Sequence, residues 1–166
     1  MFVGKYDVRL DTKNRVIVPQ RLRESHREGG PLWSSFFLTL GAEGCIFVYT
    51  SEGWERLMEE MGATKPLPDE TFRTVQRLVA ANADLRECDS QGRIVLGDEL
   101  RAHAGLKRDV TWIGAVGRAE IWDKERWLAY QKKNIAHLSE KIDIISRAGL
   151  ALPGNSNASR KGPPES

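Results

Sequence analysis

The chain has 166 residues, 40% of them hydrophobic and 29% charged, a globular composition that argues against wholesale disorder. A formal charge of +2 and a pI near 8.6 make no case from total charge for a polyanionic partner. The charge is unevenly placed, however: residues 1–27 hold seven Lys and Arg against three Asp and Glu.

The first ten residues, MFVGKYDVRL, carry charge at positions 5, 7 and 9, so they lack the continuous apolar core of a signal peptide. Lys5 to Leu10 alternates through Tyr6, Val8 and Leu10 as a half-buried strand does. A turn at Asp11–Arg15 leads into a returning strand, Val16–Val18, and the pair reads as a tight hairpin. Pro19 stops that strand and Gln20–Ser25 reads as one or two helical turns. Phe36–Leu40 and Cys45–Tyr49 flank Gly41–Gly44 as a second hairpin. Ser51 caps a helix through Trp54, Leu57 and Met58. After the linker Lys65–Pro68, Asp69 caps another helix to about Ala83, with Phe72, Val75, Leu78 and Val79 on one face. Val110–Gly114 and Arg118–Trp122 form a third hairpin, and one long helix is expected from near Asp123, with Leu128, Ile135, Leu138, Ile142 and Ile145 at three-and-four spacing. The Gly/Pro/Ser-rich tail from Gly149 is expected to stay unfolded.

The chain repeats itself. DTKNRVIVPQRLR, Asp11–Arg23, aligns with DSQGRIVLGDELR, Asp89–Arg101, at an offset of 78, with Asp, Arg, Leu and Arg identical and an aliphatic triplet after each first Arg. Gly41–Tyr49 followed by Trp54 aligns with Gly114–Trp122 followed by Trp127 at an offset of 73, the change falling around Arg27–Leu32. Asn14 and Gly92 share one turn position, and these residue types best tolerate left-handed backbone angles. A unit of about 45 residues encloses too little volume for a large core, so two units that interlace their strands and share one core are expected. The expected organisation is a first unit at 5–52, a linker and connecting helix at 53–82, a second unit at 83–126, a C-terminal helix at 127–148 and a tail at 149–166.

The paired D-x-x-x-R motifs, each followed by an aliphatic triplet and x-x-L-R, together with the N-terminal MFVGKY, resemble the MraZ family of bacterial transcriptional regulators from Met1 to about Tyr130. The resemblance implies an α+β fold, a pseudo-twofold tandem of SpoVT/AbrB-type swapped-hairpin units (a double-psi or swapped-hairpin barrel) with flanking helices. It implies a ring-like homo-oligomer that binds double-stranded DNA at short direct repeats, upstream of the division and cell-wall gene cluster and of the protein's own gene. The compartment implied is the cytoplasm, at the nucleoid.

The family's DNA-contacting residues carry over to Lys13 and Arg15 in copy one and Arg93 in copy two; Asn14 and Gln91 at the turn tips complete the candidate set. Copy two departs from copy one, with Gln91 where Lys13 stands and Gly97 where Pro19 stands, so copy one is expected to make the main contacts. Arg15 can give two parallel donors to guanine O6 and N7, worth about 1–3 kcal/mol of base discrimination, or clamp a phosphate. Lys13 supplies a point charge suited to phosphate. Asp11 and Asp89 are expected to shape the turns; an Asp and an Arg four apart across a turn can also simply bridge each other. Arg23 and Arg101 suit either an internal salt bridge or a phosphate, and Lys5 and Arg9 read as a solvated strand face.

Other classes find less support. His26, His103 and His137 have no Cys or His at ligand spacing, and Cys45 and Cys88 stand apart, so neither a metal site nor a disulfide scaffold is expected. No phosphate-binding glycine loop or G-x-S-x-G elbow is present, so no enzyme and no cofactor is expected. No run approaches the roughly 18 apolar residues of a membrane helix. An oligomeric protein-interaction scaffold using the C-terminal stripe, and an AbrB-like antitoxin, remain as alternatives. Trp54 and Trp127 occupy equivalent repeat positions and read as core.

Overall fold

Strand β1 (Lys5–Arg9) enters the Asp11–Arg15 turn and β2 (Arg15–Ile17) leaves it, yet the two do not form a ladder with each other. The computed structural model, which describes residues 1–24, 31–63 and 70–149, sends them to different partners in the other copy. β1 pairs with β7 (Asp109–Ala115), Tyr6 opposite Trp112 and Val8 opposite Val110. β2 pairs with β6 (Arg93–Val95). In the mirror arrangement β5 (Asp84–Glu87) pairs with β3 (Ser35–Gly41). The expected tight hairpin is therefore corrected to a turn whose two arms cross into the opposite repeat. A three-residue β2 could pair only part of the backbone edge of β1, whereas β7 pairs all five of its residues.

The result is a six-stranded antiparallel sheet in the order β1-β7-β8-β4-β3-β5, with β4 at Cys45–Tyr49 and β8 at Arg118–Asp123, beside a two-stranded ribbon β2-β6. The order is palindromic under the repeat. Its pseudo-dyad passes between β4 and β8, where Phe47 faces Glu120, and through the ribbon, where Val16 faces Ile94. Each of these pairs consists of equivalent positions in the two copies.

Strand register also corrects the second half of the repeat alignment. Gly41 pairs with Cys45 across three loop residues, whereas Ala115 pairs with Arg118 across two, Val116 and Gly117. The structural equivalent of Gly41 is thus Ala115, an offset of 74 rather than 73, with one residue removed inside the hairpin loop. Matching glycines in the two loops hid this gap.

Both copies contribute to one core. Val16, Val18 and Leu22 of copy one and Ile94, Leu96 and Leu100 of copy two are buried together with Phe36, Leu38, Val110, Trp112 and Ile121. Alternation in each aliphatic triplet buries its first residue and turns the second outward, so Ile17 and Val95 face solvent. The short helices α1 (Gln20–Arg23) and α4 (Asp98–Ala104) each insert one leucine, Leu22 and Leu100. On the opposite sheet face α2 (Ser51–Ala63) stacks Trp54 on Phe37, ring centres 5.1 Å apart, and edges it onto Tyr49. Trp127 meets Trp122 edge-on at the equivalent place. Thr39 donates to the Val79 carbonyl of α3 (Glu70–Ala81) at 2.8 Å.

Met1–Trp127 forms one compact unit; the residues from Leu128 form a second. The expected single C-terminal helix is two, α5 (Lys124–Ile135) and α6 (Leu138–Arg147). The break follows Asn134, a weak interior helix residue whose side chain donates to the Tyr130 carbonyl and accepts from Lys141. Leu138 and Ile144 of α6 are exposed. The linker Lys65–Pro68, the Asp69 cap, His26, Arg27 and the tail beyond Gly149 lie outside the described residues. Among those described, no helix is long and apolar enough to cross a membrane.

Candidate nucleic-acid interface

Each repeat turn is closed by its aspartate. Asp11 Oδ1 accepts the backbone N–H groups of Lys13 and Arg15 at 2.8 and 2.9 Å, while Oδ2 accepts Nε and Nη2 of Arg15, both at 2.8 Å. Asp89 repeats the pattern with Gln91 and Arg93: Oδ1 takes the two backbone N–H groups at 2.9 and 3.0 Å, and Oδ2 takes Nε at 2.8 Å and Nη2 at 2.7 Å. The main chain adds Asn14 N–H to Asp11 O and Gly92 N–H to Asp89 O. The fourth residue of each turn is left-handed, φ 58° at Asn14 and 75° at Gly92.

Such crowding of donors keeps both carboxylates ionised. Asp11 is held below the usual carboxylate range, chiefly by the Arg15 backbone N–H and then by its side chain. Asp89 falls to about 2, with the Arg93 side-chain bond as the largest cause. The guanidinium of each motif arginine therefore stands against an anion of its own turn, and the pair is neutral. Neither arginine is sealed off: their side chains retain 28% and 26% of their exposure.

The two turns are bound to each other across the pseudo-dyad. Leu96 N–H donates to the Asn14 carbonyl and Val18 N–H to the Gly92 carbonyl, both at 2.9 Å. On the outer face of the ribbon Arg15 sits opposite Val95 and Arg93 opposite Ile17. Lys13 and Gln91 are exposed at the tips, and Asn14 is half-buried. All five candidate contact residues are thus carried by one rigid two-turn element.

Other cations lie close by. Leu10, Asp11, Thr12, Leu106, Lys107 and Arg108 line an open depression of about 540 Å³ at the base of turn one, where Leu10 N–H bonds the Arg108 carbonyl. Lys107 is engaged by Glu125, which raises the lysine's pKa. Arg23, which follows Leu22 in α1, reaches across to copy two: a Cβ built on Gly92 would lie 2.7 Å from its Cζ and 2.8 Å from its Nη2. The single trace of this in the sequence is that copy two has glycine where copy one has asparagine. Arg101, its repeat equivalent, instead donates Nε to the Leu96 carbonyl and pairs with Asp98. Sequence reading also missed the pair at the centre of the sheet, where buried Glu120 accepts Nε and Nη2 of Arg118 and Nε1 of Trp122. Among the described residues no cluster of three metal-ligating side chains occurs.

A family profile described as "MraZ protein, putative antitoxin-like" matches the chain twice in tandem, at residues 1–78 and 79–143. The chain is 38% identical over 153 residues to the "Transcriptional regulator MraZ" of Lachnoclostridium phytofermentans, covering 92% of this chain and all of that protein. It is 44% identical over 133 residues to the protein of the same name from Heliobacterium modesticaldum, 80% of this chain and 88% of that one. With the one from Micrococcus luteus it shares 41% identity over 154 residues, 93% and 99% of the two chains. By tandem profile match and near full-length relatives, this chain belongs to the MraZ family.

Proposed function

We propose that the protein is a sequence-specific DNA-binding transcriptional regulator that reads duplex DNA with the Asp11–Arg15 and Asp89–Arg93 turns. The observation that carries this is the pair of equivalent, aspartate-braced turns on one two-stranded ribbon, with Lys13 and Gln91 at the exposed tips. A braced turn presents its side chains at little entropic cost, which favours a surface built for contact. Lys13 approaches a phosphate, and Asn14 and Gln91 offer amide groups to base edges or backbone. Arg15 and Arg93 hold the turns and turn their remaining guanidinium edges to the groove.

The names of the relatives support regulation of transcription. The exchange of β1 and β5 between copies supports the swapped-hairpin barrel of AbrB-type units. The wider proposal is a ring-like homo-oligomer, cytoplasmic and nucleoid-associated, that engages short direct repeats upstream of its own gene and of the division and cell-wall cluster. A few contacts per protomer are weak, and several protomers on spaced repeats add through effective concentration.

The test is gel retardation of a duplex from upstream of the chain's own gene. Lys13→Gln and Arg15→Ala are each expected to lose the specific shift while the oligomer keeps its size by light scattering. Lys13→Gln is the cleaner variant, since Lys13 contributes only its backbone N–H to the turn. Retardation by both variants at the parent's concentration would refute the reading.

A further inference from the structure

After each motif arginine is paired with its aspartate, turn one keeps Lys13 at its tip, and turn two keeps no cation of its own, because Gln91 stands there. Yet the guanidinium of Arg23, from copy one, lies over Gly92 in turn two. We propose that Arg23 is the DNA-contacting cation of the second turn, supplied in exchange across the pseudo-dyad for the lysine that copy two lacks. The assignment rests on the DNA-reading role proposed above.

Three observations support it. First, the guanidinium is placed with no internal anion to hold it: among the described residues Arg23 forms no salt bridge, its buried Nε has no hydrogen-bond partner, and the side chain's hydrogen-bonding neighbour is the Cys88 thiol, whose pKa burial raises. Asp89, the nearest acid of that turn, already gives one oxygen to Arg93 and the other to two backbone N–H groups. Second, the residue beneath it is the one turn residue that differs in having no Cβ. Asn14 shows that the left-handed position accepts a side chain, so the glycine at 92 answers to the space that Arg23 occupies rather than to the backbone angle. Third, the exchange is one-way. Arg101, the repeat equivalent of Arg23, is instead tied within copy two to Leu96 and Asp98.

A cation held over a turn without an internal counterion is suited to an external one, and a duplex presents phosphates to both turns of the ribbon. The two turns then carry equal charge by different means, which makes each chain a two-point reader.

Binding of the upstream duplex is measured by retardation across a salt series, with melting monitored in parallel. Arg23→Gln is expected to bind about tenfold more weakly, about 1.4 kcal/mol. Its log–log salt slope should be shallower by about 0.9 per chain, the release of one phosphate contact. Gln91→Lys placed in the Arg23→Gln background is expected to restore both, because it rebuilds turn two on the plan of turn one. Gly92→Asn should reproduce the Arg23→Gln loss by displacing the guanidinium, and it serves in its place if Arg23→Gln unfolds. If Arg23→Gln and Gly92→Asn bind like the parent while Lys13→Gln is impaired, this inference fails and the DNA-reading role stands. If Lys13→Gln is also unimpaired, the DNA-reading role fails and takes the inference with it. Loss of binding that Gln91→Lys does not restore assigns Arg23 to the fold alone and overturns the proposal.

Discussion

Gly114 lies where the first residues of the chain cross β7, and a methyl group there has nowhere to go. A Cβ on Gly114 would stand 2.3 Å from the Val3 nitrogen and 2.5 Å from the Phe2 carbonyl carbon and Val3 Cα, all backbone atoms that cannot rotate aside. Gly114→Ala is therefore expected to lift residues 1–4 off the sheet. That exposes Phe2, 4% accessible and packed against Trp33 at 5.6 Å, and breaks its paired backbone bonds with Val116 and the bond from Gly114 N–H to Gly4 O. Burying a phenylalanine contributes about 1.5–3 kcal/mol. The three backbone bonds re-form to water, and the conformational freedom of the released residues opposes the loss, so the burial of Phe2 sets its scale. A net loss of about 2 kcal/mol remains, which lowers Tm by about 4–8 °C in a chain of this size. Gly117→Ala, where no atom lies within 4 Å of the built Cβ, is the control and is expected to leave Tm unchanged. β1 pairs with β7 from Lys5 onward, so turn one keeps its place and Gly114→Ala should still retard DNA at room temperature. Melting by circular dichroism decides: equal Tm values for Gly114→Ala and the parent, or an equal fall in Gly117→Ala, would refute the steric account of MFVG as a strap over the sheet.

Leu22→Ala and Leu100→Ala, equivalent residues in one core, are each expected to cost about 2–5 kcal/mol in urea unfolding, and a cost confined to one of them would contradict the shared core. Asp89 has a lowered pKa, about 2 in the fold against 3.8, so its contribution to stability is fully present above about pH 4 and is lost as pH falls toward 2. Asp89→Asn should flatten denaturant midpoints through that window; an unchanged acid limb would refute the turn-clamp account. Glu120→Ala leaves Trp122 Nε1 and Arg118 without their acceptor at the sheet centre and is expected to cost about 2 kcal/mol in the same assay.

Much of the local structure was legible in residue order. Alternation in Tyr6–Val8–Leu10 and in each aliphatic triplet specifies which side chains turn inward, because a strand has a period of two whatever lies beside it. The Asp-x-x-x-Arg spacing and the Asn or Gly at the fourth position specify a braced left-handed turn, because its bonds all close within five residues. The repeat itself announced that two halves share one plan.

The partner of each strand was not legible. β1 and β2 adjoin in sequence and look like a hairpin, but the choice of β7 and β6 depends on which apolar faces can be covered together, a property of the whole chain. A one-residue gap in the third hairpin was masked by matching glycines, and only hydrogen-bond register exposes it. Arg23 is the sharpest case. Its place over Gly92 joins residues 69 positions apart, and no local rule links them. Sequence by itself determined the turns, the strands and the duplication, since those follow from interactions between near neighbours. Interlacing of the two units was expected from their size, but only the folded chain settles which strand of the other copy each strand pairs with and which cation each turn receives, since both depend on packing across a pseudo-dyad that exists only once the two halves have closed on one core.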